Sequence, residues 1–181
     1  MDATPARSRW FDWMWVFLWG TLSSIWCLSA SPRLSATFDE PFYIQEGLKG
    51  WRSGSNDRFM RAGTMPLPVD VATLPLYVWE RLRGQPFDVE ADFARLLPVG
   101  RAGNLVFWWV LLIYSWRLAN LLRGPWAGRL GVALVACEPN LLAHATLATT
   151  DISVTAFLVA FFYHFLTGRD GVGFERVGVP A

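Results

Sequence analysis

The 20 residues from Trp13 to Pro32 contain no charged side chain, and no other feature constrains the chain as much. A helix of that length rises about 30 Å, the thickness of a bilayer's hydrocarbon core, and it satisfies its own backbone polar groups there. The run is long, rich in Trp and lacks a small-x-small cleavage site that precedes a soluble remainder, so it reads as a membrane span rather than a cleaved signal. A second uncharged run covers Ala102 to Trp116 and extends to Leu122 if Arg117 snorkels toward the headgroups. Leu130 to Thr150 carries Glu138 alone, and Ile152 to Gly168 carries no charge, with Pro139 breaking the two apart. A hydrophobic content of 53%, 11 tryptophans and a mean hydropathy of +0.28 agree with this reading. The expected fold is therefore all-α and integral to a membrane. It forms one domain over 1–181, with about four spans near 11–32, 102–122, 128–138 and 149–168 and a long loop over 33–101.

Sidedness follows from Lys and Arg near the span ends. Arg7 and Arg9 precede the first span, Arg123 and Arg129 separate the second and third, and Arg169 and Arg176 follow the fourth, so these segments are expected in the cytoplasm. The connection holding Glu138, His144 and Asp151 has no Lys or Arg and is expected outside, together with 33–101. The net charge of +1 is uninformative, no basic stripe suggests nucleic acid and none is expected as a partner, and no Gly-rich phosphate loop, zinc-type spacing or Ser/His/Asp motif occurs. Cys27 and Cys137 fall within spans and read as packing residues. His164, near the cytoplasmic end of the last span, reads as a packing or headgroup contact.

The outer loop is too well patterned to be a disordered linker. Glu40-Pro41 suits a helix start, and Ile44, Leu48 and Trp51 then share one face, which predicts a helix lying on the membrane surface. Val69, Ala72, Leu76, Trp79 and Leu82 predict a second such helix, kinked at Pro75. "DFARLLPVGR" then leads into the second span.

Asp39 and Glu40 admit two readings, as caps of a surface helix or as reactive groups, and Asp151 after Thr150 admits the same two. Topology brings both motifs to one side of the membrane, where they can share a cavity. Glu138 lies only about 15 Å of helix beyond Arg129, within the outer half of the bilayer, so it should face protein or water. A satisfied structural role for it is equally open.

Three stretches, "FDEPFYIQEGLKGW", "GTMPLPVDVATLPL" and "CEPNLLAHATLATTD", stand in an order and sidedness that resemble the C-type membrane glycosyltransferases related to protein O-mannosyltransferases and the bacterial aminoarabinose transferase. The resemblance implies an enzyme of the bacterial inner membrane that moves a sugar from a polyprenyl-phosphate carrier to a protein, lipid or glycan hydroxyl on the outer face. Asp39 would be the general base. Arg58, Arg61 and Arg101 would be candidate phosphate partners, and Glu40, Glu138, Asn140, His144 and Asp151 would line the substrate site. No metal ligands are assigned, and a divalent cation stays open. Two departures stand out. Gly63, Thr64 and Met65 precede Pro66-Leu67-Pro68 where relatives often carry an acidic and a basic residue before Pro-Pro. Relatives also continue through several more spans, which implies that the chain is the N-terminal portion of such an enzyme and lacks turnover by itself. The rival expectation is a non-enzymatic four-span scaffold or lipid-binding subunit whose carboxylates only cap helices.

Overall fold

The computed structural model describes residues 6–171, and side chains within 10–168. The side chains of Arg7, Arg9 and Arg169, all of Arg176 and the tail from Val172 fall outside the described residues. Eight α-helices occur among the described residues, with no strand: α1 Ala6–Ala30, α2 Glu40–Ser53, α3 Asp57–Arg61, α4 Pro66–Arg83, α5 Val89–Arg123, α6 Pro125–Cys137, α7 Pro139–Ala145 and α8 Asp151–Gly171. A short 3₁₀ turn, Ser31–Arg33, continues α1. Three helices are long and apolar enough to cross a membrane: Trp10–Arg33, Val89–Arg123 and Asp151–Gly168. This length and composition is compatible with an integral membrane protein.

The helices alternate in direction. At one end, Arg129 pairs with Asp12 at 2.7 Å, joining the start of α6 to the start of α1, and Tyr114 and His164 meet at 2.9 Å, joining the last turns of α5 and α8. At the other end lie residues 31–101 and the connection 138–151. The connection 138–151, which has no Lys or Arg, and the Arg123–Arg129 connection therefore sit at opposite ends of the bundle. Gly124 makes the turn between α5 and α6 at φ 81°, in the left-handed region that side-chain-bearing residues avoid.

α5 is the axis of the molecule and touches α1, α2, α4, α6, α7 and α8. It runs 35 residues, about 52 Å, well beyond a bilayer core. The expected boundary at Arg101 is absent: "DFARLLPVGR" is already part of this helix, whose start is capped by Asp88 accepting from Glu90 N and Ala91 N. Pro98 lies inside the helix without ending it. In the spanning half, Phe107, Trp108, Leu111 and Leu112 form a core with Cys27, Ile152 and Ala156. The expectation that both cysteines pack is met by Cys27 and not by Cys137, which is exposed.

A second core lies outside the spans, where Ile44 and Leu48 of α2 meet Leu76 of α4, Leu96 and Leu97 of α5, and Phe87. The apolar face expected to rest on the membrane is thus buried against protein. α4 follows the same correction. Val69, Ala72 and Leu76 are buried on α2 and α5, whereas Leu82, placed on that face by spacing, is 82% exposed. Pro75 does not interrupt α4. Gly103 lets α5 approach α4 closely, because a Cβ there would overlap the Ala72 carbonyl. Charge pairs lock the layer: Arg52 binds both Glu80 oxygens at 2.9 and 2.7 Å, and Glu46 pairs with Lys49 at 2.9 Å and Arg58 at 2.7 Å.

Candidate functional site

Two neighbours in sequence, Asp39 and Glu40, have opposite surroundings. Glu40 is fully buried, while Asp39 is exposed. The Glu40 carboxylate accepts from Arg101 Nε at 2.8 Å and Arg101 Nη2 at 2.7 Å, from Ala148 N at 2.8 Å and from Thr37 N at 2.9 Å. Arg101 in turn donates to the carbonyls of Ser31 at 2.6 Å, Leu34 at 3.1 Å and Ser35 at 3.0 Å. A guanidinium has five N–H groups, and these contacts use all five. Arg101 therefore has no donor left for a phosphate, and Glu40 has no exposed oxygen for a substrate. Both expected substrate contacts are corrected to a buried clamp. Burial pushes the Glu40 carboxyl up, and the hydrogen bonds from Arg101, Ala148 and Thr37, with the guanidinium charge, outweigh it and hold the carboxyl below its ordinary value.

The clamp joins segments far apart in the chain. Through Ala148 it fixes the connection 146–150, which Asn104, one helical turn past Arg101 on α5, also holds by donating to Leu147 O at 2.7 Å and Thr149 O at 3.1 Å. One face of α5 thus sets the chain leaving α1, the start of α2 and the segment entering α8. Sequence reasoning missed Asn104. Its signal was a lone amide, fully buried, inside an otherwise apolar span.

Asp39 occupies the N-cap position of α2, yet its side chain makes no capping bond, and among the described residues its carboxylate has no hydrogen-bond or ion-pair partner. Phe38 beside it is 97% exposed. One turn on, Tyr43, whose N–H bonds Asp39 O at 3.0 Å, lines a cavity of about 590 Å³. Thr64, Met65 and Leu67 form another wall, and Thr150, Ser153 and Phe157 a third. Each of the three quoted stretches therefore contributes to one cavity. It is hydroxyl-bearing at Tyr43, Thr64, Thr150 and Ser153 and apolar toward Leu67 and Phe157.

One residue after Thr150 of that wall, Asp151 Oδ2 lies 3.2 Å from His144 Nδ1 and accepts from Thr149 Oγ1 at 2.9 Å. Both members of the pair are about half exposed, at 50% and 57%. Glu138 caps α7: its Oε2 accepts from Leu141 N at 2.6 Å, and Oε1 accepts from Asn140 Nδ2 at 3.2 Å. This gives Glu138 and Asn140 a structural contact rather than an open site. Arg58 is 65% exposed and shared between Glu46 and the Phe42 ring. Arg61, exposed at the end of α3, has no partner among the described residues and stands two residues before Gly63 of the cavity wall. Among the described residues no group of three His, Cys, Asp or Glu side chains is placed to hold a metal ion. Comparison of the chain with family models, with curated proteins and with solved structures found no match.

Proposed function

We propose that the protein is a membrane glycosyltransferase that moves a sugar from a polyprenyl-phosphate-linked donor to an acceptor hydroxyl at the end of the bundle holding α2–α4. The observation that carries the reading is the convergence of three stretches, separated by up to about a hundred residues, on one cavity, with unpartnered Asp39 one helical turn before its Tyr43 wall. In this reading α6 and α7, about 20 Å and about 10 Å long, cross the membrane together as a fourth span broken at Glu138. The arginine distribution then turns the cavity outward, as expected of a bacterial inner-membrane enzyme.

The chemistry assigned is a displacement at the anomeric carbon. The acceptor O–H breaks as its proton passes to the Asp39 carboxylate, the acceptor oxygen bonds the sugar carbon, and the carbon–oxygen bond to phosphate breaks with its electron pair leaving on phosphate. A phosphate leaving group is already good, so the protein supplies a base, positioning and cationic stabilisation. With Arg101 fully committed and Arg58 shared, Arg61 is the arginine assigned to phosphate.

A non-enzymatic scaffold also draws support, because Glu40, Arg101 and Glu138 have structural roles here. Radiolabelled sugar transfer from a polyprenyl-phosphate donor, in membranes carrying the product of the whole gene, separates the two. The enzyme reading expects label in an acceptor and a loss of about 10² to 10⁴ on Asp39→Asn. Membranes that incorporate no more label than a vector control would support the scaffold.

A further inference from the structure

Asp39 is a carboxylate without a positioning partner. A short distance along the fold stands a second titratable group that has one. His144 Nδ1 faces Asp151 Oδ2 at 3.2 Å, within the ordinary range for an N–H···O bond. The same oxygen also accepts from Thr149 Oγ1 at 2.9 Å, while Thr149's own carbonyl is held by Asn104, which is fully buried. Asp151 is thus held from two directions by groups that the α5 face itself positions.

A carboxylate only accepts, so the ring nitrogen facing it must carry the proton. In the neutral ring this is the Nδ1–H tautomer, with Nε2 as the acceptor. Nε2 has no partner among the described residues, and half of the side chain is open to the surroundings. An imidazole oriented by a carboxylate through one nitrogen, with the other open, is the base-and-orienter half of a catalytic triad without the nucleophile. The other charged groups near it are accounted for. Glu138, at the far end of the same helix, is engaged with Leu141 and Asn140, and Glu40, bonded to Ala148, is neutralised by Arg101.

We propose that His144 is a hydrogen-bond-accepting, positioning residue of the site, its Nε2 oriented by Asp151, the residue after Thr150 of the cavity wall, to take a hydroxyl of the bound sugar. This rests on the glycosyltransferase reading for the identity of the hydroxyl, but not for the geometry. No bond breaks at His144: Nε2 accepts the hydrogen bond of that hydroxyl and holds it in place, while the acceptor's own proton passes to Asp39.

The test has two arms. The chain has two histidines, so His164→Gln with ¹⁵N-histidine labelling leaves the His144 imidazole as the only histidine signal in nanodiscs. The proposal expects the Nδ1–H tautomer, a minority form for a free imidazole, and its loss in Asp151→Asn. An Nε2–H tautomer in the unsubstituted protein would overturn the proposal whether or not any transfer is detected. The second arm is the pH dependence of transfer by the whole gene product. A limb between pH 5 and 8, where imidazole changes charge, should disappear in His144→Gln while Asp39→Asn leaves its position unchanged. A limb of the same shape in His144→Gln would refute the role. Absence of transfer from the unsubstituted protein would count against the glycosyltransferase reading instead, with the tautomer still deciding the geometry.

Discussion

The layer of α2–α4, outer only in lying beyond the bundle, and the bundle of α1, α5, α6 and α8 share α5 but are held together by different means. In the spans, α5 packs on its neighbours through Phe107, Trp108, Leu111, Ile152 and Ala156, and polar links such as Trp108 Nε1 to Ser23 Oγ at 2.8 Å are few. In the outer layer the apolar core is smaller, and it is tied by pairs of long charged side chains: Glu40 with Arg101, Glu80 with Arg52, and Glu46 with Arg58 and Lys49. Apolar packing is non-directional and tolerates small shifts, whereas a carboxylate gripped by four hydrogen bonds admits one arrangement. The difference places precision at the end where the cavity lies.

Breaking the Glu40–Arg101 clamp should have the largest effect. Arg101→Met leaves Glu40 buried without its counter-charge, and a loss of about 3–5 kcal/mol is expected in denaturant unfolding from mixed micelles. Replacing both, Glu40→Met with Arg101→Met, should restore much of that loss, because no unpaired charge remains. A double variant as unstable as the single one would show that the carbonyl contacts, not the charge pair, hold the layer.

Next comes the contact between the two regions. Gly103→Val forces a side chain into the Ala72 backbone, and overpacking of this kind costs about 1–3 kcal/mol. It should also raise protease sensitivity of α4 before that of α8, since α4 is the element pushed away. In the bundle, Ser23→Ala strands the buried Trp108 N–H and is expected to cost about 1–2 kcal/mol without altering the outer layer.

A pH test sharpens the comparison. The Glu40 carboxyl lies below its unfolded value, so its contribution is present above the unfolded glutamate range and is lost as pH falls through the folded value. Melting followed from pH 7 downward should therefore fall in the unsubstituted protein below about pH 4.3, and less in the double Met variant, which lacks the titrating group. Parallel curves would remove Glu40 as the cause.

Much of this arrangement was legible in the sequence. The long uncharged runs marked the helices now seen as α1 and α8, Glu40-Pro41 marked the start of α2, and Ile44 and Leu48 marked its buried face. What covers that face was not legible: amphipathic spacing shows that a stripe is hidden but not whether lipid or protein hides it, so α2 was expected on the membrane. Leu82 shows the same limit at a helix end, where no neighbouring element reaches. Arg101 read as a phosphate partner because the resemblance calls for cations near the donor, and its five acceptors come from segments up to 70 residues away in the chain, which no local pattern shows. Asn104 gave no pattern at all, since a single amide has no periodicity. At the site, which of Asp39 and Glu40 is buried depends on which way two adjacent side chains point, and that follows from the tertiary contacts of Glu40 with Arg101 and Ala148.

That division is the central claim, and it is tested most directly by measuring melting and sugar transfer together in Asp39→Asn and Glu40→Gln of the whole gene product. The smallest stability effect should belong to Asp39→Asn, within about 0.5 kcal/mol of the unsubstituted protein, because an exposed side chain without partners supports nothing. Its transfer should nevertheless fall by about 10² to 10⁴. Glu40→Gln should lower the melting temperature clearly while retaining more transfer per folded molecule. Near-normal transfer by Asp39→Asn, or melting of Glu40→Gln indistinguishable from the unsubstituted protein, would contradict the account.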